Sequence, residues 1–261
     1  MLAFIIDATN RAHQLAYAGD PDVGSSLLAD VDAFRARYKA THVALAFDGP
    51  GAVEARRKVL PSYKVGRKPN PAIKDAVEKA RAHCLLSDAT VVMFAGYEAD
   101  DVVFSLSRRV VEKNGRAVVC SSDGDLAQCL IKDRVSICRR WNRGGHGMTA
   151  EFVTAANWES EHGVLLSQFI EYRSLVGDSS DSIEGLPGIG PKRAAQLLVK
   201  FPTIEAIPVD ALPDKTRPSW SAFLERVDAI REVMRLRYLS DDELWSDRSG
   251  SVFGHEWDAI R

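Results

Sequence analysis

Two dense groups of acidic residues stand out in this chain, Gly96-Tyr-Glu-Ala-Asp-Asp101 and Gly177-Asp-Ser-Ser-Asp-Ser182. Carboxylates this close repel one another and raise one another's pKa values unless a cation sits among them. The second group runs almost directly into Gly185-Leu-Pro-Gly-Ile-Gly-Pro-Lys192. A glycine-rich turn tipped with lysine is suited to a phosphate backbone, because backbone N–H groups can approach it closely. Acids for cations beside a grip for phosphates point to metal-dependent cleavage of nucleic acid. Two Mg²⁺ ions about 4 Å apart activate a water and stabilise the leaving oxygen without a protein nucleophile. Mg²⁺ prefers oxygen ligands and keeps much of its water, so many carboxylates are expected, some acting through water.

Such acids need a scaffold to bring them together. Short β-type runs occur at Leu2–Ile6, Val43–Phe47, Thr90–Phe94, Ala117–Cys120 and Arg134–Cys138. Helical patterns are expected over Ser25–Ala40, Pro71–Ser87, Ala99–Asn114 and Asp125–Ile131. In Ala99–Asn114, Val102, Val103, Leu106, Val110 and Val111 form one apolar stripe. Alternation of this kind predicts an α/β fold, a mostly parallel sheet with helices on both faces. Ligands of such sheets bind beyond the carboxyl ends of the strands. Asp7 and Asp48 follow their strands at once, Asp123 and Asp125 follow within a few residues, and Glu98, Asp100 and Asp101 open the next helix. Seven carboxylates are thereby delivered to one rim. On its own the Glu98–Asp101 triplet has a plainer explanation, since acids favour a helix N-terminus.

From about residue 150 the pattern turns helical, with segments expected at Thr149–Ala156, Ser167–Val176, Pro191–Lys200 and Ser219–Leu239, and a proline-rich connector at Pro202–Pro218. Trp141–Met148 reads as a mobile loop joining the halves. The expected division is residues 1–148 and 149–261. Trp158, Trp220, Trp245 and Trp257 are expected to pack the helical half, and Ser240–Arg261 carries no motif. His13, His42, His83, His146, His162 and His255 show no ligand spacing.

The net charge of −2 looks wrong for a nucleic-acid binder. If nine carboxylates serve metals, 27 of the 36 acids remain against 34 bases, a surplus of seven positive charges for the other surfaces. Cys84, Cys120, Cys129 and Cys138 lack C-x-x-C spacing and read as buried, reduced thiols, which implies a cytoplasmic setting. The apolar run directly after Met1 leaves no room for a leader, and no stretch approaches a membrane span, so a soluble protein with no membrane partner is expected.

The stretches Ile5-Ile-Asp7, Ala46-Phe-Asp48, Ser62-Tyr-Lys-Val-Gly-Arg67, Gly96–Val102, Ser122-Asp-Gly-Asp-Leu126 and Gly177–Leu198 together resemble the 5′-nucleases, the flap endonucleases and the 5′–3′ exonuclease domain of bacterial DNA polymerase I. The resemblance spans most of the chain in the family's order. It implies a PIN-like domain over residues 1–148, a basic arch at about 50–70, and a helix–three-turn–helix element at about 177–200. It also implies two divalent ions, Mg²⁺ or Mn²⁺. Glu98, Asp100 and Asp123 would surround the first, with Asp7 and Asp48 nearby. Asp125, Asp178 and Asp181 would hold the second, and Asp101 would support one of the two.

The same resemblance makes Lys64 and Arg67 the catalytic cations that meet the scissile phosphate, with Tyr63 stacking on a base and Lys68 adding charge. Gly185, Gly188, Gly190, Lys192 and Arg193 would grip duplex DNA, with K⁺ held by loop carbonyls. Relatives carry an arginine seven residues after the first aspartate. Here that position is Gln14, with Arg11 one turn earlier as a substitute. The implied function is a stand-alone, monomeric nuclease that cuts 5′ flaps near duplex and digests DNA from 5′ ends. Two alternatives stay open: a nuclease removing RNA primers from RNA–DNA hybrids, and a junction binder without catalysis.

Overall fold

Strand β1 (Leu2–Asp7) is buried along almost its whole length, as expected of a central strand flanked on both edges. The computed structural model describes residues 1–68, 70–144, 147–245, 251–252 and 254–260. The chain forms two units: residues 1–52, 69–154 and 237–261 make the first, and residues 53–68 and 155–236 the second. This differs from the division expected at 148/149. The arch segment belongs with the helical unit, and the C-terminal segment returns to the sheet.

In the first unit, β1 leads into α1 (Ala8–Tyr17) and α2 (Val23–Tyr38), then β2 (His42–Ala46). Helix α3 (Ala52–Arg57) opens the excursion into the second unit. The first unit resumes with α4 (Pro71–Leu85), β3 (Thr90–Val92), α5 (Ala99–Glu112), β4 (Arg116–Cys120), a 3₁₀ turn at Gly124–Cys129, β5 (Val135–Gly144) and β6 (Gly147–Val153). The sheet order is β3-β2-β1-β4-β5-β6, with β1 to β5 parallel and β6 antiparallel at the edge. Phe4 and Ile6 join Leu27, Phe34, Ala80 and Cys84 in the core beneath α1, α2 and α4. The strand pleat turns Ala3 and Ile5 the other way, and α5 packs against β1 and β4. Helices therefore cover both faces, as the βαβ alternation requires.

Three segments differ from expectation. Residues 141–144 and 147–148 lie in the β5–β6 hairpin rather than in a loop, and residues 145–146 fall outside the described residues, His146 among them. Thr149–Val153 is strand, and the helix starts only at Ala155. Its β-branched and aromatic residues pair with β5, and tertiary pairing overrides weak local preference. The C-terminal segment pairs with β3 through Val91 and Val252, and Trp257 packs edge-on against His42 at 5.4 Å, so this tryptophan belongs to the sheet unit. All four cysteines are buried and free. Burial pushes the Cys84 thiol up to about 12.

The second unit contains α6 (Ala155–His162), α7 (Phe169–Val176), a two-stranded turn β7 (Gly177–Asp178) and β8 (Ile183–Glu184), α8 (Pro191–Lys200), α9 (Trp220–Leu224) and α10 (Val227–Met234). Glu225 and Arg226 interrupt what was expected as one helix over Ser219–Leu239. Short 3₁₀ turns fill the proline-rich connector. The last described α-helix, α11 (Asp241–Leu244), lies in the first unit. No described helix is long and apolar enough to cross a membrane.

Candidate metal centre and nucleic-acid interface

The strands of the first unit end in acids, and the helices that follow hold them by their amides. Asp7 caps α1, accepting from Asn10 N at 2.9 Å. Its other oxygen accepts from Ser121 Oγ at 2.9 Å. Asp123 caps the 3₁₀ turn through Asp125 N at 2.8 Å, and Ser121 Oγ in turn accepts from Asp123 N. Asp48 follows β2 and accepts from Ala99 N at 2.8 Å, at the start of α5. Glu98 is the buried N-cap of α5. Helix N-termini favour negative charge, so these positions stabilise carboxylates before any cation arrives.

The plain N-cap explanation is therefore true, and it is incomplete. Burial raises the Asp7 pKa, the Asn10 amide and Ser121 hydroxyl lower it, and the charges of Asp48 and Asp123 raise it again. The balance stands at about 7. Asp100 is pushed well above the usual range, first by burial and then by Asp123, Asp7, Glu98 and Asp48. Asp7, Asp48, Glu98, Asp100 and Asp123 thus form one electrostatic group, a surplus of negative charge that fits a divalent cation. Among the described residues, no group of three or more His, Cys, Asp or Glu side chains stands ready to hold a metal ion directly. Oxygens of Asp7, Asp48 and Asp123 already accept from backbone amides, so an ion here would be reached through its own water shell or by small side-chain turns. Mg²⁺ readily binds in that way.

Asp101 departs from the expected metal support. It is fully buried, and its oxygens accept from Arg237 N at 2.8 Å, Arg237 Nη2 at 2.7 Å and Glu98 N at 3.2 Å. Its charge is spent on a guanidinium. Sequence reading gave no sign of Arg237, which lies 136 positions away at the end of the segment expected as a helix over Ser219–Leu239. The Arg237 guanidinium also donates to Gly96 O at 2.7 Å and lies 4.4 Å over the Tyr97 ring.

Arg11 departs as well. Its Nε donates to the buried Asp30 at 2.9 Å, and it lies 4.6 Å over Trp141. Arg143 holds the other oxygen of Asp30 at 2.7 Å. Arg11 is thereby committed to packing α1 against α2 and the hairpin, and is not placed as a substitute for phosphate grip. Gln14 donates to Asn10 Oδ1 at 2.6 Å and Ser122 Oγ at 2.8 Å, linking α1 to the loop that carries Asp123.

In the second unit, the expected catalytic pair converges on an expected metal acid. Arg67 Nη2 stands 2.5 Å from Asp181 Oδ1, and Lys64 Nζ stands 3.9 Å from Oδ2. Lys64 N donates to Asp181 O at 2.7 Å, and Arg67 Nε donates to Ser180 O at 3.1 Å. Arg173 holds Asp178 at 2.5 Å. Burial would raise the Asp178 pKa, but hydrogen bonds from Ser180 and the charge of Arg173 outweigh it and hold it below the usual range. Both acids are paired with cations.

Tyr63 is 2% exposed, so its ring is not open for a base as expected. Its faces meet Arg56 at 5.8 Å and Lys64 at 4.8 Å, and an aromatic ring in that position is stabilised by packing and cation–π contact. Lys68 is exposed.

The glycine loop divides by role. A Cβ on Gly185 would lie 2.4 Å from Leu175 O, so this glycine serves close backbone packing after α7 and not phosphate approach. Gly188 has φ +80°, which a side chain disfavours, and Gly190 is the open N-cap of α8 with Pro191 next. Gly188, Gly190, Lys192 and Arg193 are exposed. A basic surface at a helix N-terminus suits phosphate.

Family models for the 5′-3′ exonuclease match in two pieces, the N-terminal resolvase-like domain over residues 4–162 and the C-terminal SAM fold over residues 164–243. The chain belongs to the 5′-3′ exonuclease family. Flap endonuclease Xni of Salmonella paratyphi B is 32% identical over 248 residues, covering 89% of this chain and 91% of that protein. Flap endonuclease Xni of Shewanella oneidensis is 32% identical over 244 residues, covering 91% and 89%. Among solved structures, a 5′-exonuclease of T5 with bound zinc has TM-score 0.75 at 22% identity, covering 90% of each chain. A T5 flap endonuclease in a complex with DNA and metal ions has TM-score 0.74 at 22% identity, covering 90% and 89%. These likenesses establish the shared fold for this 5′-3′ exonuclease family member, the mostly parallel sheet with a SAM-like helical partner.

Proposed function

We infer that this family member is a structure-specific 5′-nuclease, a metal-dependent phosphodiester hydrolase with 5′–3′ exonuclease and flap endonuclease activity on DNA. One observation carries the reading. Five carboxylates gather beyond the carboxyl ends of a parallel sheet, where burial first and then the charges of the neighbouring acids push the Asp7 and Asp100 carboxyls above the usual range. A bound cation offsets the repulsion within such a group.

Asp7, Asp48, Glu98, Asp100 and Asp123 would hold the divalent ion, with Mg²⁺ or Mn²⁺ as the fitting hard cations. When bound, that ion lowers the pKa of a water and neutralises charge on the reacting phosphate. Lys64 and Arg67 bring positive charge to the scissile phosphate, and Arg67 can bind it through two N–H groups. Gly188, Gly190, Lys192 and Arg193 hold the duplex by sequence-independent phosphate contacts. A second divalent ion at Asp125, Asp178 and Asp181, and K⁺ at the carbonyls of the glycine loop, rest on the resemblance of Ser122–Leu126 and Gly177–Leu198 alone. The preferred substrate is DNA with a 5′ flap or a 5′ end beside duplex, cut by a monomer.

The test is cleavage of a 5′-labelled flap duplex with Mg²⁺, Mn²⁺ or EDTA, with product lengths read on a gel. Metal-dependent products ending near the junction are expected. An arm with an RNA flap measures the preference between the two sugars. Intact substrate in both metals, with protein that binds the junction, would make this chain a binder without catalysis.

A further inference from the structure

The C-terminal strap of the first unit clamps the acid turn. Residues 237–243 lie far from Gly96–Asp101 in sequence but meet it at three points. Arg237 holds Asp101 through its backbone N–H and its guanidinium, at 2.8 and 2.7 Å. The same guanidinium donates to Gly96 O at 2.7 Å and covers the Tyr97 ring. Tyr97 then donates its hydroxyl to Glu243 Oε1 at 2.6 Å, and burial followed by that bond and the charge of Glu243 pushes the phenol up to about 12. Behind them, Leu239 N donates to Ser105 Oγ at 2.9 Å, in the second turn of α5.

Between these points of attachment lie Glu98 and Asp100. We propose that Arg237 is a positioning residue for the metal centre: acting through Asp101 and Gly96, it fixes the turn that presents Glu98 and Asp100. The inference rests on the nuclease reading of those two acids and adds a residue to it. Fixing matters physically, because five carboxylates that repel one another would otherwise relax apart, and a cation would have to regather them at the cost of its own binding energy. A guanidinium in a fork geometry can hold the buried Asp101 and a carbonyl together, where a lysine could hold only one well.

A double-mutant cycle on Mn²⁺ affinity, measured by calorimetry and by electron paramagnetic resonance without DNA, tests this. Arg237→Gln and Asp101→Asn should each weaken Mn²⁺ binding at least tenfold, and the double variant should be no weaker than either, since both cut the same linkage. Arg237→Lys should lie between wild type and Arg237→Gln. Thermal melts identify folded protein, and should Arg237→Gln not fold, the neutral pair Arg237→Met with Asp101→Asn replaces it. Wild-type Mn²⁺ affinity in a folded Arg237 variant, or losses that simply add, would overturn the proposal. Asp100→Asn separates this from the reading beneath it: if that variant binds Mn²⁺ like wild type, the acid cluster itself is not the metal centre.

Discussion

Arg67 and Asp181 form an ion pair at 2.5 Å, and Lys64 stands 3.9 Å from the same carboxylate. The contrast with Asp100 is instructive. Asp100 is surrounded by other acids, whereas Asp181 is surrounded by cations and by hydrogen bonds from the segment that carries them. Lys64 adopts φ +54°, an uncommon conformation for a side-chain-bearing residue, and its N–H bond to Asp181 O helps hold it there. Any phosphate or cation that binds at this point must exchange partners with the pair.

Asp181→Asn should free the basic segment. Arg67 is 53% exposed, so its pair contributes only about 0.2–1 kcal/mol in water. Loss of that much corresponds to roughly 1.4- to fivefold more frequent opening. Limited trypsin digestion should therefore cleave within residues 58–68 about that much faster, while turnover on a flap falls by orders of magnitude. Unchanged proteolysis would show that the ion pair does not hold the segment.

Asp7 gives a pH signature. Its folded-state pKa of about 7 lies above the ordinary 3.8, so the folded state binds this proton more tightly than the unfolded state. That stabilisation is complete below about 3.8 and is lost as the pH rises through about 7. Asp7→Asn mimics the protonated form. In EDTA its stability advantage over wild type should grow between pH 4 and 7 and level off by pH 8 at on the order of 2–4 kcal/mol. Urea titrations at several pH values measure this, and added Mg²⁺ should shrink the advantage by stabilising wild type selectively. A difference independent of pH would contradict the crowding of these acids.

The strand ends were legible because Asp7 and Asp48 adjoin β-type runs, and strand topology alone then brings them to one edge. The apolar stripe of α5 was legible for the same reason: period 3.6 is local. The partners of Asp101, Arg11 and Tyr63 were not legible, because Arg237 and Asp30 are distant in sequence and Arg56 carries no pattern. A buried carboxylate that serves a guanidinium looks identical, in sequence, to one that serves a metal. The hairpin of β5 and β6 was hidden by the glycines around 144–147, which suggest a loop, although β5 supplied the pairing partners of β6.

Arg11 should prove to be a stability residue. Asp30 is fully buried and balances both Arg11 and Arg143. Asp30→Ala leaves two guanidinium groups facing a buried void and should cost about 3–5 kcal/mol by urea unfolding. Arg11→Met should cost less, about 1–3 kcal/mol, and should leave the salt dependence of DNA binding unchanged. A shallower salt slope in Arg11→Met would restore it to the nucleic-acid interface.

The two halves of the glycine loop should separate in a binding experiment. Gly185→Ala forces a methyl group to within 2.4 Å of Leu175 O, so the backbone turn after α7 must open, and the variant should unfold early or misfold. Lys192→Ala and Arg193→Ala alter exposed side chains at the start of α8 and should leave the melting temperature nearly unchanged. Each removes one phosphate contact, so the slope of log affinity against log salt for duplex DNA should fall by about 0.9 per variant. Fluorescence anisotropy with a labelled junction, at 50–200 mM salt and with Ca²⁺ in place of Mg²⁺, reads both quantities. Slopes that match wild type in both variants would move the duplex grip away from α8.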